Sequence, residues 1–136
     1  MAAKFRFNTR ELAAGIKREL MVQPLRAKRA MNAVGGYIAG EAKDRAPVKE
    51  GFLTADITNK TIENKKSYSA AIYIPSNTTS SEYAIAMHEG EYDLGERSEN
   101  KQKKTGKPVG RKFITRAIDD NRGDIVKIIE HELRKP

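Results

Sequence analysis

The sequence predicts an α+β fold: long helices packed on a small antiparallel β-sheet, with a long basic loop before a C-terminal helix. Three observations lead there. Apolar residues recur at threefold and fourfold spacing near both ends of the chain. Two central segments alternate apolar and polar residues with period two. A charged, glycine-containing stretch, Glu96 to Lys112, separates those segments from the last apolar stripe.

Met1 to Phe7 is expected to be an extended lead-in. Asn8 offers a side-chain oxygen as a helix N-cap, and Glu11 stands three residues on, the spacing of a capping box. Leu12, Ile16 and Leu20 follow every fourth position, which predicts a helix from about Thr9 to Leu20. Pro24 suits the first turn of a second helix, where an N–H would have no helical partner anyway. Its apolar face is Ala27, Ala30, Met31, Val34, Ile38 and Ala42. Pro47 disfavours helical geometry at Ala46 and sets the end near Arg45. Gly35, Gly36 and Gly40 lower the intrinsic stability of this helix, so close packing on a neighbour is expected to compensate.

Leu53, Ala55 and Ile57 then alternate with Thr54, Asp56 and Thr58, while Tyr68, Ala70, Ile72 and Ile74 alternate with Ser69, Ala71 and Tyr73. With Asn64-Lys65-Lys66 between them, the two segments read as an antiparallel hairpin closed by Pro75. Two strands make a marginal sheet, so a third is expected within residues 91–112 or from a neighbouring subunit. Ser76 to Ser81 is a polar loop, and Tyr83 to His88 reads as one or two helical turns. Glu96 to Gly110, with Gly106, Pro108 and Gly110, is the most loop-like region. Phe113, Ile114, Ala117, Ile118, Ile125, Ile128, Ile129 and Leu133 form a final helical stripe, which Gly123 is expected to kink or divide.

A length of 136 residues suits one core, so residues 1–136 are read as a single domain, with 1–7 as the lead-in and 96–112 as a long basic loop or arm. The absence of cysteine excludes disulfides and thiolate-bound metals. No apolar run approaches a membrane span and no secretory pattern opens the chain, so a soluble, unsecreted protein without membrane contact is expected. The net charge of +8 is uneven: residues 1–49 carry 11 basic and 4 acidic side chains, residues 50–96 carry 3 and 8, and residues 97–112 carry 7 and 1. Separate positive and negative surfaces suit docking on copies of the same chain or on an oppositely charged partner.

The residues offer little catalytic chemistry. His88-Glu89 begins like a zinc-protease motif, but Tyr92 stands where the second histidine is needed. There is no phosphate-binding glycine loop and no Gly-x-Ser-x-Gly frame. The carboxylates of Glu82 to Glu96 match no calcium loop, although such a cluster is also compatible with a divalent cation or with a magnesium-dependent nuclease, the third and least favoured alternative. No enzyme activity, cofactor or metal is expected. Tyr83, Tyr92 and His88 read either as a pocket or, preferably, as residues capping a small core. Arg97, Lys101, Lys103, Lys104, Lys107, Arg111 and Lys112 form the main candidate contact set. They are compatible with phosphate contact, a protein-docking arm, or a solvated loop.

Three segments in order carry a recognisable pattern: Ala42, Arg45 and Ala46-Pro47-Val48-Lys49-Glu50-Gly51-Phe52-Leu53; then Tyr83-Ala84-Ile85-Ala86-Met87-His88-Glu89-Gly90; then Gly110-Arg111-Lys112-Phe113-Ile114-Thr115-Arg116-Ala117. Together they resemble the tail-component family of tailed bacteriophages, also called tail-completion, neck, head–tail joining or minor capsid proteins. The resemblance covers about residues 25–130. Pro47 would stop the helix, and Gly51 would permit the tight turn that follows. Asp56 departs from the family's frequent Ser, and the segment from Gly90 to Phe113 is longer than in many relatives. The resemblance implies a non-enzymatic virion protein of the neck or tail, assembled in the host cytoplasm. It implies a homo-oligomeric ring, most simply a hexamer, with a dodecamer as the connector-side alternative. Its partners would be connector or head-completion proteins and tail tube or tail terminator proteins, with possible contact to packaged DNA. The alternative from charge alone is a small basic DNA-binding module.

Overall fold

The computed structural model describes residues 4–8, 24–63, 65 and 67–135. The helix expected over Thr9 to Leu20 lies outside these residues. The elements in chain order are β1 (Lys4–Asn8), α1 (Pro24–Arg45), α2 (Phe52–Asp56), β2 (Thr58–Glu63), β3 (Tyr68–Tyr73), a 3-10 turn (Thr79–Glu82), α3 (Ala84–Glu89), α4 (Glu96–Thr105), α5 (Phe113–Asp120) and α6 (Arg122–Arg134). The α+β class is as the sequence predicts. No helix among the described residues is long and apolar enough to cross a membrane.

α1 is the middle layer. It packs on β2 and β3 on one side and on α5 and α6 on the other. Small residues make this possible: Ala27, Ala30, Val34, Gly35, Ala39 and Ala42 are all buried along one helix. Met31 and Ile38 fill the space between, and Phe113, Ile114, Ile125, Ile129 and Leu133 approach from the C-terminal helices. The prolines act as the sequence suggests, and α1 runs from Pro24 to Arg45. Arg26 and Arg29 near its start donate to the C-terminal carbonyls of Leu133 and Glu132, at 3.1 and 2.7 Å. Arg45, buried at its end, bonds Asp120 at 3.3 Å. The α5–α6 pair therefore runs antiparallel to α1.

The sheet has the order β1-β3-β2 and is antiparallel throughout. Lys4 pairs with Tyr73 and Asn8 with Ser69, while Thr58 pairs with Tyr73 and Glu63 with Tyr68. The third strand thus comes from the lead-in, not from residues 91–112. The hairpin is also shifted. Leu53 to Asp56, read as strand, lies in the short helix α2, and the first hairpin strand begins at Thr58. Leu53 and Ile57 are four residues apart, a spacing that serves a helical turn as well as alternation does. Both are buried.

The last stripe divides, but at Asn121 rather than at Gly123, which sits inside α6. Asn121 closes α5 by donating from Nδ2 to the Ala117 carbonyl at 2.7 Å, and its own carbonyl accepts the Ile125 N–H at 2.9 Å to open α6. Tyr37 of α1 donates to its Oδ1 at 3.1 Å.

Of the three α1 glycines, one meets the expectation of close packing. A Cβ on Gly35 would stand 2.7 Å from Asn59 Oδ1 of β2, whereas one on Gly36 or Gly40 would meet nothing within 4 Å among the described residues. Gly36→Ala and Gly40→Ala are therefore expected to raise the unfolding free energy by about 0.5–1 kcal/mol each, and Gly35→Ala to give no such gain. Urea titration of the three variants checks this.

Candidate functional site

The site begins where α1 stops. Ala46 and Pro47 leave the helix buried, and Gly51 turns the chain at φ 93°, a left-handed conformation that a β-branched residue resists. The Ala55 N–H then bonds the Gly51 carbonyl at 3.0 Å and α2 starts. This turn buries Leu53 and leaves Phe52 43% exposed. Asp56 at the end of α2 accepts the Ser80 N–H at 2.9 Å, which draws the 3-10 turn and α3 alongside. Tyr92 donates to the Met87 carbonyl at 2.6 Å and so folds residues 91–95 across the end of α3.

α4 completes the wall. Its buried Ser98 accepts the Val48 N–H at 2.8 Å and donates to the Val48 carbonyl at 3.3 Å. The result is a cleft of about 700 Å³ lined by Pro47, Phe52, Leu53, Tyr83, Met87, Tyr92 and Leu94, with Lys49, Glu50 and Asp93 among its charged neighbours. Burial raises the Tyr83 phenol pKa, with Asp56 and Glu50 adding to the effect.

The third sequence segment locks onto the first two. The Gly110 N–H donates to the Arg45 carbonyl at 2.9 Å, and the Lys112 N–H donates to the His88 carbonyl at 2.6 Å. Arg111 reaches the Glu89 carbonyl at 3.2 Å, and the Lys112 ammonium pairs with the Glu89 carboxylate. Lys112 itself holds a positive φ of 59° at the start of α5. The His88 ring meets Phe113 edge-on, with centroids 4.9 Å apart at 73°.

Residues 96–105 are a helix, not a loop. Their polarity hides the helical period, but charge placement supports it. Glu96 and Glu99 occupy the first turn, Lys103 and Lys104 the last, and Gly106 follows at φ 71°. The helix also explains where the basic side chains go. Lys101 is drawn inward and donates to the carbonyls of Lys43 and Ala46, at 2.5 and 2.8 Å, and to Thr54 Oγ1 at 3.3 Å. Desolvation pulls its pKa below the ordinary lysine range, against the opposing pull of Asp44. Lys107 bridges Asp44 and Glu41 at 2.7 and 2.5 Å, and those carboxylates raise its pKa. Arg97 bonds the Lys49 carbonyl at 2.5 Å. Five of the seven candidate contact residues, Arg97, Lys101, Lys107, Arg111 and Lys112, thus tie the fold together, while Lys103 and Lys104 are exposed.

The aromatic residues divide between the two readings open to them. His88 is a core residue, 1% exposed, whereas Tyr83 and Tyr92 line the cleft. Phe52 belongs with them; in the sequence it stands in the turn segment just before the alternation that begins at Leu53 and not among the aromatic pocket candidates. Among the described residues no group of three His, Asp or Glu side chains is placed to hold a metal ion.

His88 gives the site a pH signature. Burial pushes its pKa below 6.5, while Glu89, with Oε2 at 3.5 Å from Nδ1, pulls the other way. As pH falls, the unfolded chain takes up this proton before the folded chain does. Its stabilising contribution is therefore complete above pH 6.5 and declines below it. Glu89, held below 4.5 chiefly by Lys112, adds a second loss at lower pH. Thermal unfolding across a pH series should show a midpoint falling below about 6.5, and His88→Phe should remove the first part of that slope.

Comparison with family models, with curated proteins and with solved structures finds no match to this chain.

Proposed function

We propose that the chain is a structural virion protein of a tailed bacteriophage, joining the head connector to the tail as a ring-forming oligomer and not as an enzyme. One observation carries the reading. The three segments on which the resemblance rests, distant in sequence, converge on a single feature. The first two wall the aromatic cleft, and the third is bonded to both through the Arg45 and His88 carbonyls. The segments that carry the resemblance therefore meet at one place in the fold, which supports the reading. A second support is the use of the basic side chains. Most of those between Arg97 and Lys112 clamp this surface from behind, which suits a rigid docking face.

In this reading the protein sits in the neck or tail of the particle, assembled in the host cytoplasm. A ring of six fits best, with twelve for the connector side. It would dock on connector or head-completion proteins and on tail tube or terminator proteins.

The test is the native mass of the purified protein across concentration at two salt levels, alone and with a phage connector ring. A closed oligomer of six or twelve, alone or templated on the connector, is the expected result. A monomer that ignores the connector and binds duplex DNA with a steep salt dependence would replace this reading with a small basic DNA-binding module.

A further inference from the structure

We propose that copies of this chain join head to tail, the Leu25 end of α1 in one copy seating in the Phe52–Tyr83 cleft of the next. The inference rests on the oligomeric reading above and names the surfaces that would make the contact.

The first surface is an apolar knob in a basic collar. Leu25 is 81% exposed, the most exposed of the large apolar side chains among the described residues. Lys28 and Arg29 follow on the next turn of α1. Arg134 and Lys135 stand beside them, because Arg29 donates to the carbonyls of Glu132 and Lys135, at 2.7 and 3.1 Å. Two carboxylates lie in this group: Glu132 is paired with Arg29 and Lys135, each at 3.1 Å, and Glu63 stands 4.0 Å from Lys28 in a loose, exposed pair that Lys28 can exchange for a carboxylate of the next copy.

The second surface has the opposite character. Phe52 and Tyr83 are 43% and 39% exposed at the cleft. Residues 79–96 contain no Lys or Arg, and Glu82, Glu91, Asp93 and Glu96 are all exposed. Among the described residues none of these four carboxylates takes part in an ion pair, and Lys49 on the lip is offset by its neighbour Glu50. A leucine entering the cleft would remove three apolar surfaces from water together. The aliphatic stems of Lys28 and Arg29 would lie over aromatic rings while their charges reach the carboxylates.

Position sets the mode of assembly. The knob lies at the first turn of α1 and the cleft just past its last. α1 has 22 residues, so the two are about 33 Å apart. An acidic cleft repels another acidic cleft, so a cleft-to-cleft dimer is disfavoured, and the two-fold alternative is a reciprocal dimer with each knob in the other's cleft. In the head-to-tail mode proposed here the contact is not reciprocated and closes into a ring when the rotation allows, whereas the reciprocal dimer would stop at two copies and give no cross-linked ladder.

Because the chain has no cysteine, the contact can be tested with a Lys28→Cys/Glu82→Cys double variant, which keeps Leu25, Phe52 and Tyr83, and a short bismaleimide. Within one copy the two positions are too far apart to be linked. The expected result is a ladder of covalent species beyond the dimer, ending at the ring number, while each single variant stops at the dimer. Both side chains are exposed, and circular dichroism checks that the fold is kept. As a second arm, Lys28→Glu/Arg134→Glu should weaken association at least tenfold, and mixing it with Glu82→Lys/Asp93→Lys should restore association. An oligomer whose double variant gives no ladder overturns the contact and leaves the oligomeric reading standing. A protein that stays monomeric at every concentration overturns the contact together with self-assembly.

Discussion

Phe113→Ala is expected to lower the unfolding free energy by about 3–5 kcal/mol, the usual cost of removing a fully buried phenylalanine. Phe113 has no exposed surface and stands where α5 meets the core. Its loss removes apolar burial, leaves a cavity under the cleft wall, and takes away the edge contact of the His88 ring. The site has little freedom to collapse. On one side Lys112 is held by the His88 carbonyl, and on the other the α5 backbone is held by packing on α1. Urea unfolding should show a lower midpoint with an unchanged slope. If the midpoint moves by less than a third of this, Phe113 is not the wedge that fixes the third segment.

Lys101→Met has the second largest expected effect, a loss of about 3 kcal/mol, from leaving carbonyls at the end of α1 without their charged donor. Methionine keeps the length and apolar stem of the lysine, so the loss reports the ammonium alone. The control is Lys103→Ser/Lys104→Ser, where both side chains are exposed and stability should change by less than about 0.5 kcal/mol. Equal, small effects in both variants would return residues 96–112 to the status of a solvated segment. The comparison separates a cation that staples from cations that face a partner, a distinction invisible in a run of lysines.

That distinction also shows what the sequence could and could not tell. α1 was legible to the residue because its ends are set locally, by Pro24 and by Pro47, and its buried face follows one period. β3 was legible for a similar reason. The α2 segment misled because five residues are too few to separate a period of two from one of 3.6 when Leu53 and Ile57 satisfy both. α4 was missed because its buried contacts are polar: Ser98 and Lys101 bond the loop after α1, and neither registers as hydrophobic periodicity. Its signals were the capping glycine and the ordering of charge along it. The third strand was hidden because Lys4–Asn8 is short and its partner, β3, lies over sixty positions away. The cleft was legible only in part: Tyr83 and Tyr92 stand in the sequence as pocket candidates behind a preferred core-cap reading, and Phe52 joins them only through the chain path that the Asp56–Ser80 and Tyr92–Met87 hydrogen bonds fix.

The placement of α1 between two layers bears on how the protein is made. Among the described residues, one flank of α1 packs on α5 and α6, which are made well after it. At about 5–20 residues per second, the 89 residues from the end of α1 to the end of α6 take roughly 4–18 s, and the flank waits that long for its cover. The apolar groups on that flank are then open to chaperones or to other nascent chains, while the Arg26 and Arg29 side chains wait for the carbonyls of residues 133 and 132. A stop codon near residue 112 would make that exposure permanent. Chains truncated there should be recovered as aggregates or chaperone complexes, not as a smaller folded unit.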